Sequence, residues 1–203
     1  MALLKIARMG HPVLRQPADS LRDLHAPAVQ RLIADMTETM YDADGLGLAA
    51  PQVHESLRVI VFHVPAGRRP EADGEAETED GASADAASQA AVPLTVLINP
   101  RFEPLDSRQT LGWEGCLSIP GLMGRVPRYR QIRYWGLDPA GREIRREATG
   151  LHARVVQHEC DHLDGILYPE RMTDLLSLCF TSELDRIAEH GADPRPAPVA
   201  EAS

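Results

Sequence analysis

The sequence reads as a mixed chain of helices and strands, and three observations carry that reading. Residues 26–42 place Val29, Leu32, Ile33, Met36 and Met40 at helical intervals. Residues 57–64 and 94–98 are β-branched, apolar runs of strand length. Residues 150–163 return to the helical period, with Leu151, Val155, His158 and His162 sharing one face.

The remaining elements follow in chain order. Asp44-Gly45 ends the first helix. The two apolar strands flank a segment at about 66–92 that is rich in Ala, Glu, Asp, Gly and Ser and has no aromatic residue. Such a segment cannot bury enough surface to offset its ordering entropy, so an acidic, disordered insertion is expected there. Residues 132–137 and 143–148 form a strand pair about the turn Asp138-Pro-Ala-Gly141. A third helix is expected over about 173–189, and the Pro/Ala-rich residues 193–203 as a flexible tail. Residues 1–192 are expected to form one domain.

Composition narrows the classes of function. The chain has 203 residues, 43% apolar and 25% charged, as ordinary globular proteins do. No apolar run reaches the roughly 18–20 residues of a membrane span, and the N-terminus lacks the marks of a signal peptide, so a cytoplasmic location without membrane association is expected. Cys116, Cys160 and Cys179 are odd in number and irregularly spaced, which favours thiols over a disulfide framework. The formal net charge is -9, and residues 66–93 alone carry seven acids against Arg68 and Arg69. Nothing in that balance attracts nucleic acid.

The chemistry concentrates in Gln157-His-Glu-Cys-Asp-His162. At about 100° per residue, His158 and His162 lie within about 40° of each other on a helix, so both imidazoles can reach one ion. Glu159 projects beside that ion, where a carboxylate can take a proton from water. Cys160 points roughly opposite and reads as inert. Two core histidines framing an acid would explain the same residues, so the third ligand decides the class. The His-x-x-Gly-x-x-His extension fails because Tyr168 stands where a histidine is needed. Glu183 on the third helix is a conceivable ligand. Cys116, in Trp113-Glu-Gly-Cys-Leu-Ser-Ile-Pro120, is a stronger one, since its thiolate is a soft ligand and Gly115 lets the backbone approach closely. A further run, Gly45-Leu-Gly-Leu-Ala-Ala-Pro-Gln52, is too rich in small residues for ordinary core and ends in a side-chain amide.

These three segments, in this order and spacing, resemble the peptide deformylase family, as does the opening Ile6-Ala-Arg-Met-Gly-His-Pro-Val-Leu14, which looks like that family's N-terminal strand. The resemblance covers most of the chain outside the acidic insertion and the tail. It implies an α+β fold, a central metal-binding helix packed among small antiparallel sheets, with an N-terminal and a C-terminal helix. It implies a hydrolase that removes the formyl group from the N-terminal formyl-methionine of nascent proteins. By the same resemblance, Cys116, His158 and His162 bind one divalent metal and leave a position for water, and Glu159 is the acid/base. The Leu117 N–H and the Gln52 amide would meet the charge that develops on the formyl oxygen. Gly47 would contact the formyl group, Leu46 would line the methionine pocket, Gly45 and Gly115 would border the substrate, and Glu114 and Arg128 would pair to hold the cysteine loop.

Chemistry alone would suggest zinc for a Cys-His-His set, whereas the resemblance implies Fe(II), with nickel or cobalt tolerated. It also implies N-formyl-methionyl nascent peptides as partners and transient ribosome contact. The C-terminal helix carries Glu183, Asp185 and Glu189 against Arg186, which argues against ribosome docking through it. Rival readings are a zinc peptidase using Glu183, a protein with a structural metal, and a family copy that has changed role.

Overall fold

The computed structural model describes residues 2–66 and 91–189. The acidic insertion, apart from its borders, and the tail at 193–203 lie outside these residues. The elements are α1 (Pro27–Asp42), β1 (Gly47–Ala49), β2 (Val59–Val64), β3 (Val92–Pro104), β4 (Gln109–Cys116), β5 (Ile119–Tyr129), β6 (Gln131–Leu137), β7 (Glu143–Thr149), α2 (Gly150–Leu163), β8 (Cys179–Phe180) and α3 (Leu184–Glu189). They form an α+β fold with two antiparallel sheets, one ordered β1-β2-β3-β6-β7 and a smaller one ordered β4-β5-β8. Among the described residues, no helix is long and apolar enough to cross a membrane.

The larger sheet separates two helices, which explains why β2 is apolar from Val59 to Phe62 and again at Val64, with His63 the one polar position. Val59 and Val61 face α1, where they pack with Ile33, Met36 and Met40. Ile60, Phe62 and Val64 face α2, with Ala153, Val156, Cys160 and Leu163. Alternation in a strand separates two faces, and when both faces are buried every position is apolar. Met36, Met40, Ile60 and Phe62 are fully buried, and truncating any of them to alanine should cost about 2–5 kcal/mol.

The metal-motif helix α2 stops abruptly after its second histidine. Gly165 has φ +74°, its N–H donates to His162 O, and the Ile166 N–H donates to Asp161 O. This 5→2 and 6→1 pair closes the helix, and a Cβ on Gly165 would come within 2.8 Å of the Arg15 backbone. The segment after it turns back under the small sheet, where Leu167 and Tyr168 join Leu14, Ile119 and Val126 in a third cluster.

Two expectations from sequence are corrected. The opening 6–14 is not a strand: Ala7 N–H donates to Gln52 O and Met9 N–H to Ser118 O, and a short 3-10 turn follows at Pro12–Arg15. The helix expected over 173–189 is confined to Leu184–Glu189. Asp174 caps a single 3-10 turn at Leu175–Ser177, and Cys179–Phe180 is taken up as an edge strand against Leu122 and Met123. Pairing with β5 there overrides the local helical period. The sequence pattern assigns 109–129 to no element, whereas the structure forms the β4–β5 hairpin there.

Candidate metal centre and cleft

Cys116 ends β4, while His158 and His162 project from α2. One ligand atom from each lies within 4.8 Å of the others, and they are the one such group of three or more among the described residues. Cys116 Sγ is 3.3 Å from His162 Nε2. His158 uses Nδ1 toward Glu114 Oε2 at 2.9 Å, which leaves its Nε2 for an ion. Glu183 takes no part: it is half-buried, is paired with Arg186 at 2.8 Å and lies outside the ligand group. Tyr168, at the position of the extended motif's third histidine, stacks on His158 with ring centroids 6.4 Å apart.

The donor set suits a divalent ion. Burial raises the Cys116 thiol, but the charge of His162 and hydrogen bonds from both histidines outweigh it and hold the group well below its ordinary value. The thiolate, the form that ligates, is therefore favoured. Burial would lower the His158 imidazole, and its bonds to Cys116 and Glu114 reverse that and raise it well above the usual histidine range. An ion entering the group displaces that proton, so metal binding and proton release are coupled. Cys160 lies outside the group, buried in the core, and burial raises its thiol far above the usual range, in keeping with an inert residue.

Glu114 is the hub behind the ligands. Its carboxylate accepts from Arg128 Nε at 2.8 Å and Nη2 at 2.9 Å, and from Arg154 Nη1 at 2.8 Å. Arg128 also reaches Asp161 Oδ2 at 2.5 Å, and Asp161 accepts from Arg171 Nη2 at 2.8 Å. Burial raises the Glu114 carboxyl, yet Arg128 outweighs it and keeps the group ionised far below the ordinary range. Fork-shaped guanidinium pairs of this kind fix both partners in the plane. They join the hairpin that carries Cys116 to the helix that carries the histidines. The resemblance pairs Glu114 with Arg128, and the two are in contact here. Arg154 and Asp161 are not part of that reading, although a charged residue four positions before His158 on the apolar face of α2 is a readable signal.

Glu159 sits beside the ligands in a different environment. It is buried, its Oε2 has no hydrogen-bond partner among the described residues, and burial pushes its carboxyl up to about 7 against the opposing charges of His158 and His162. A Cβ on Gly47 would overlap the Glu159 carboxylate, so only glycine lets the β1 backbone lie against it. A Cβ on Gly45 would come 2.9 Å from Leu117 Cδ1. Gly115 is different, since a Cβ there would make ordinary contacts with Met123 and Leu122. Gln52 is buried, its Oε1 accepts from Ala49 N at 2.8 Å, and its Nε2 points to Cys116 Sγ at 3.5 Å and Ser118 Oγ at 3.2 Å. The bond from Ala49 fixes which end of the amide faces the thiolate.

These groups border a cleft of about 540 Å³ lined by Gly45, Leu46, Gly47, Gly115, Cys116, Leu117, His158 and Glu159. It continues along α2 past Val155 and Leu151. The structure thus gathers the sequence-derived residues about one cleft, with Gln52 and His162 reaching Cys116 at its edge and Arg128 one residue further back on Glu114.

A soft three-donor group open to a cleft, beside a buried carboxyl with one oxygen unpartnered among the described residues, has the chemistry of a mononuclear metal-dependent amide hydrolase. Comparison with known proteins gives the particular family. The family of polypeptide deformylases matches residues 3–177. Peptide deformylase 1 of Nitrosomonas europaea is 47% identical over 180 residues, 88% of this chain and 93% of that one. Peptide deformylase 1 of Bordetella pertussis is 47% identical over 189 residues, 93% of this chain and 98% of the other. Among solved structures, the Met-Ala-Ser-bound class I type b peptide deformylase from Acinetobacter baumannii aligns with TM-score 0.71 and 32% identity, over 84% of this chain and 99% of that one. The peptide deformylase from Ehrlichia chaffeensis aligns with TM-score 0.73 and 26% identity, over 96% and 100%. The chain belongs to the polypeptide deformylase family, and is a hydrolase that removes the formyl group from peptides.

Proposed function

We propose that the chain hydrolyses the N-terminal formyl-methionine of newly made proteins through one divalent ion held by Cys116, His158 and His162, with Fe(II) the favoured metal. When bound, such an ion supplies Lewis acidity and lowers the pKa of a water toward about 7. Glu159 is placed to take a proton from the attacking water and would return it to the leaving amine. That its Oε2 has no hydrogen-bond partner among the described residues is the observation that carries this role, because a general base must have a lone pair open to its proton.

The Gln52 Nε2 donor and the Leu117 N–H serve the charge that grows on the formyl oxygen. Donors fixed in advance need no reorganisation as the charge develops, and the Gln52 amide is held by Ala49 and Ser118 before substrate arrives. Leu46, with Leu151 and Val155 further along the cleft, gives the methionine side chain an apolar wall. The relative solved with Met-Ala-Ser supports a methionyl peptide as the occupant. Zinc, nickel or cobalt would fit the same donors in a purified sample.

The test is Glu159→Gln, with metal content and formate release from formyl-Met-Ala-Ser measured on one sample. Metal retained at wild-type stoichiometry with turnover lost by at least about 10²-fold supports the role. Turnover within tenfold of wild type would sink it.

A further inference from the structure

The loop that walls the cleft, residues 45–47, contains two glycines and is held from behind by one residue of β2. His63 N–H donates to Leu46 O at 2.9 Å, and its side chain reaches the preceding carbonyl, with Nε2 3.2 Å from Gly45 O. A carbonyl can only accept, so Nε2 carries the proton in this contact. The Tyr41 ring lies against the imidazole, centroids 4.9 Å apart, and fixes it from the α1 side. Otherwise the described ties of this loop are Gly45 N to Met40 O at 2.9 Å and the short β1 ladder that begins at Gly47 opposite Phe62.

Glycine gives up more conformational freedom than any other residue on ordering, so a Gly-Leu-Gly segment needs external bonds to keep one geometry. Its position matters here because Gly47 lies against the Glu159 carboxylate and Gly45 against Leu117, too close for a Cβ at either glycine without a shift. We infer that His63 is a positioning residue for substrate binding, holding two successive carbonyls of the 45–47 loop so that its cleft face is set before the peptide enters. It touches neither the donor group nor the cleft, and acts only through Gly45 and Leu46. The inference rests on the reading of this loop as part of the substrate site.

The test compares His63→Leu, which removes the side-chain donor, with His63→Gln, whose amide Nε2 can occupy the same place. Formyl-Met-Ala-Ser kinetics and metal content are measured on each. His63→Leu should raise KM about tenfold with kcat changed less than about threefold and metal content unchanged, the scale of one lost hydrogen bond. His63→Gln should restore KM to within about threefold of wild type. A purely structural role would lower metal content or kcat and would not be rescued by an amide. If His63→Leu does not fold, His63→Asn, whose amide stops short of Gly45 O, replaces it. Gly47→Ala is run alongside. If it leaves kinetics intact, the loop is no part of the site and the reading beneath the inference falls. If Gly47→Ala is impaired while His63→Leu keeps wild-type KM, or if His63→Gln fails to rescue, the assignment of His63 alone is overturned.

Discussion

His158 donates from Nδ1 to Glu114 Oε2 at 2.9 Å, and that carboxylate simultaneously accepts from Arg128 and Arg154. The bond fixes the tautomer that presents Nε2 toward Cys116 and His162, so a residue on β4 sets the chemistry of a residue on α2. Glu114→Gln keeps the shape but removes the charge facing three donors, and one amide N–H must then point at a guanidinium or at the imidazole. Metal affinity should fall about 10- to 100-fold, read by competition with a chelator, while the loss of the Glu114 charge facing Arg154 and Arg128, the latter still paired with Asp161, should lower the melting temperature. Unchanged metal affinity would separate Glu114 from the ligand it touches.

Cys116→Ser replaces a soft ligand whose thiolate is favoured by His162 with an alcohol that stays protonated at neutral pH. The variant should lose most of its metal on dialysis and its turnover with it. If Fe(II) is the native ion, air should inactivate the wild type by oxidation of the ion or of Cys116, with activity followed under air and under argon. An iron-loaded sample that keeps full activity in air for hours would contradict that second expectation.

His152 lies on the other side of α2, with Nε2 3.0 Å from the Tyr134 hydroxyl and its ring 5.8 Å from Phe62. Burial, assisted by the charge of Arg146, lowers its pKa from 6.5 to about 4. The unfolded chain therefore takes up this proton below pH 6.5, while the folded chain refuses it until about pH 4. Stability is full above pH 6.5 and is lost as pH falls toward 4, by about 2 kcal/mol between pH 7 and pH 5 from this group. His152→Leu should remove that share of the acid sensitivity, so that urea unfolding at the two pH values differs less in the variant by about that amount. Equal pH dependence in variant and wild type would show that His152 titrates freely in the fold.

The elements that the sequence made legible are those whose local pattern and tertiary role agree. The helix α2 repeats its apolar face through Leu151 and Val155 and ends at Gly165, and its observed bounds, Gly150–Leu163, match the expected ones. The β4–β5 hairpin was illegible for the opposite reason. Gly112, Gly115, Pro120, Gly121, Gly124 and Pro127 interrupt its period, and what stabilises it is long-range: Arg154, from α2, bonds Thr110 O and Val126 O across the pair at 2.8 Å each. A Cβ on Gly112 would collide with that guanidinium, so the glycine that spoils the strand pattern is the one the buried arginine requires. At the site, ligand spacing was readable because it is helical or sits in a short motif. His63 was not, because a histidine in an apolar strand gives no sign of the loop carbonyls it will meet.

The enzyme should act on N-formyl peptides and be nearly inert toward N-acetyl ones. The formyl group would sit between the donors of Gln52 and Leu117 and the backbone of 45–47, and that backbone is itself closely packed at two points. Even a Cβ on Gly47 would overlap Glu159, and a Cβ on Gly45 would come 2.9 Å from Leu117. An acetyl methyl in place of the formyl hydrogen would need added room beside that backbone. In a packed site a misplaced methyl costs on the order of 1–3 kcal/mol, and the displaced carbonyl loses its alignment with the donors, which lowers the rate further. The methionine side chain should add up to about 3 kcal/mol through burial along Leu46, Val155 and Leu151, so formyl-Met-Ala-Ser should exceed formyl-Gly-Ala-Ser substantially. The measurement is kcat/KM for formyl-Met-Ala-Ser, acetyl-Met-Ala-Ser and formyl-Gly-Ala-Ser on one enzyme batch. Comparable values for the formyl and acetyl peptides would show that the 45–47 backbone does not bound the acyl position, and the steric role given to Gly45 and Gly47 would then be wrong.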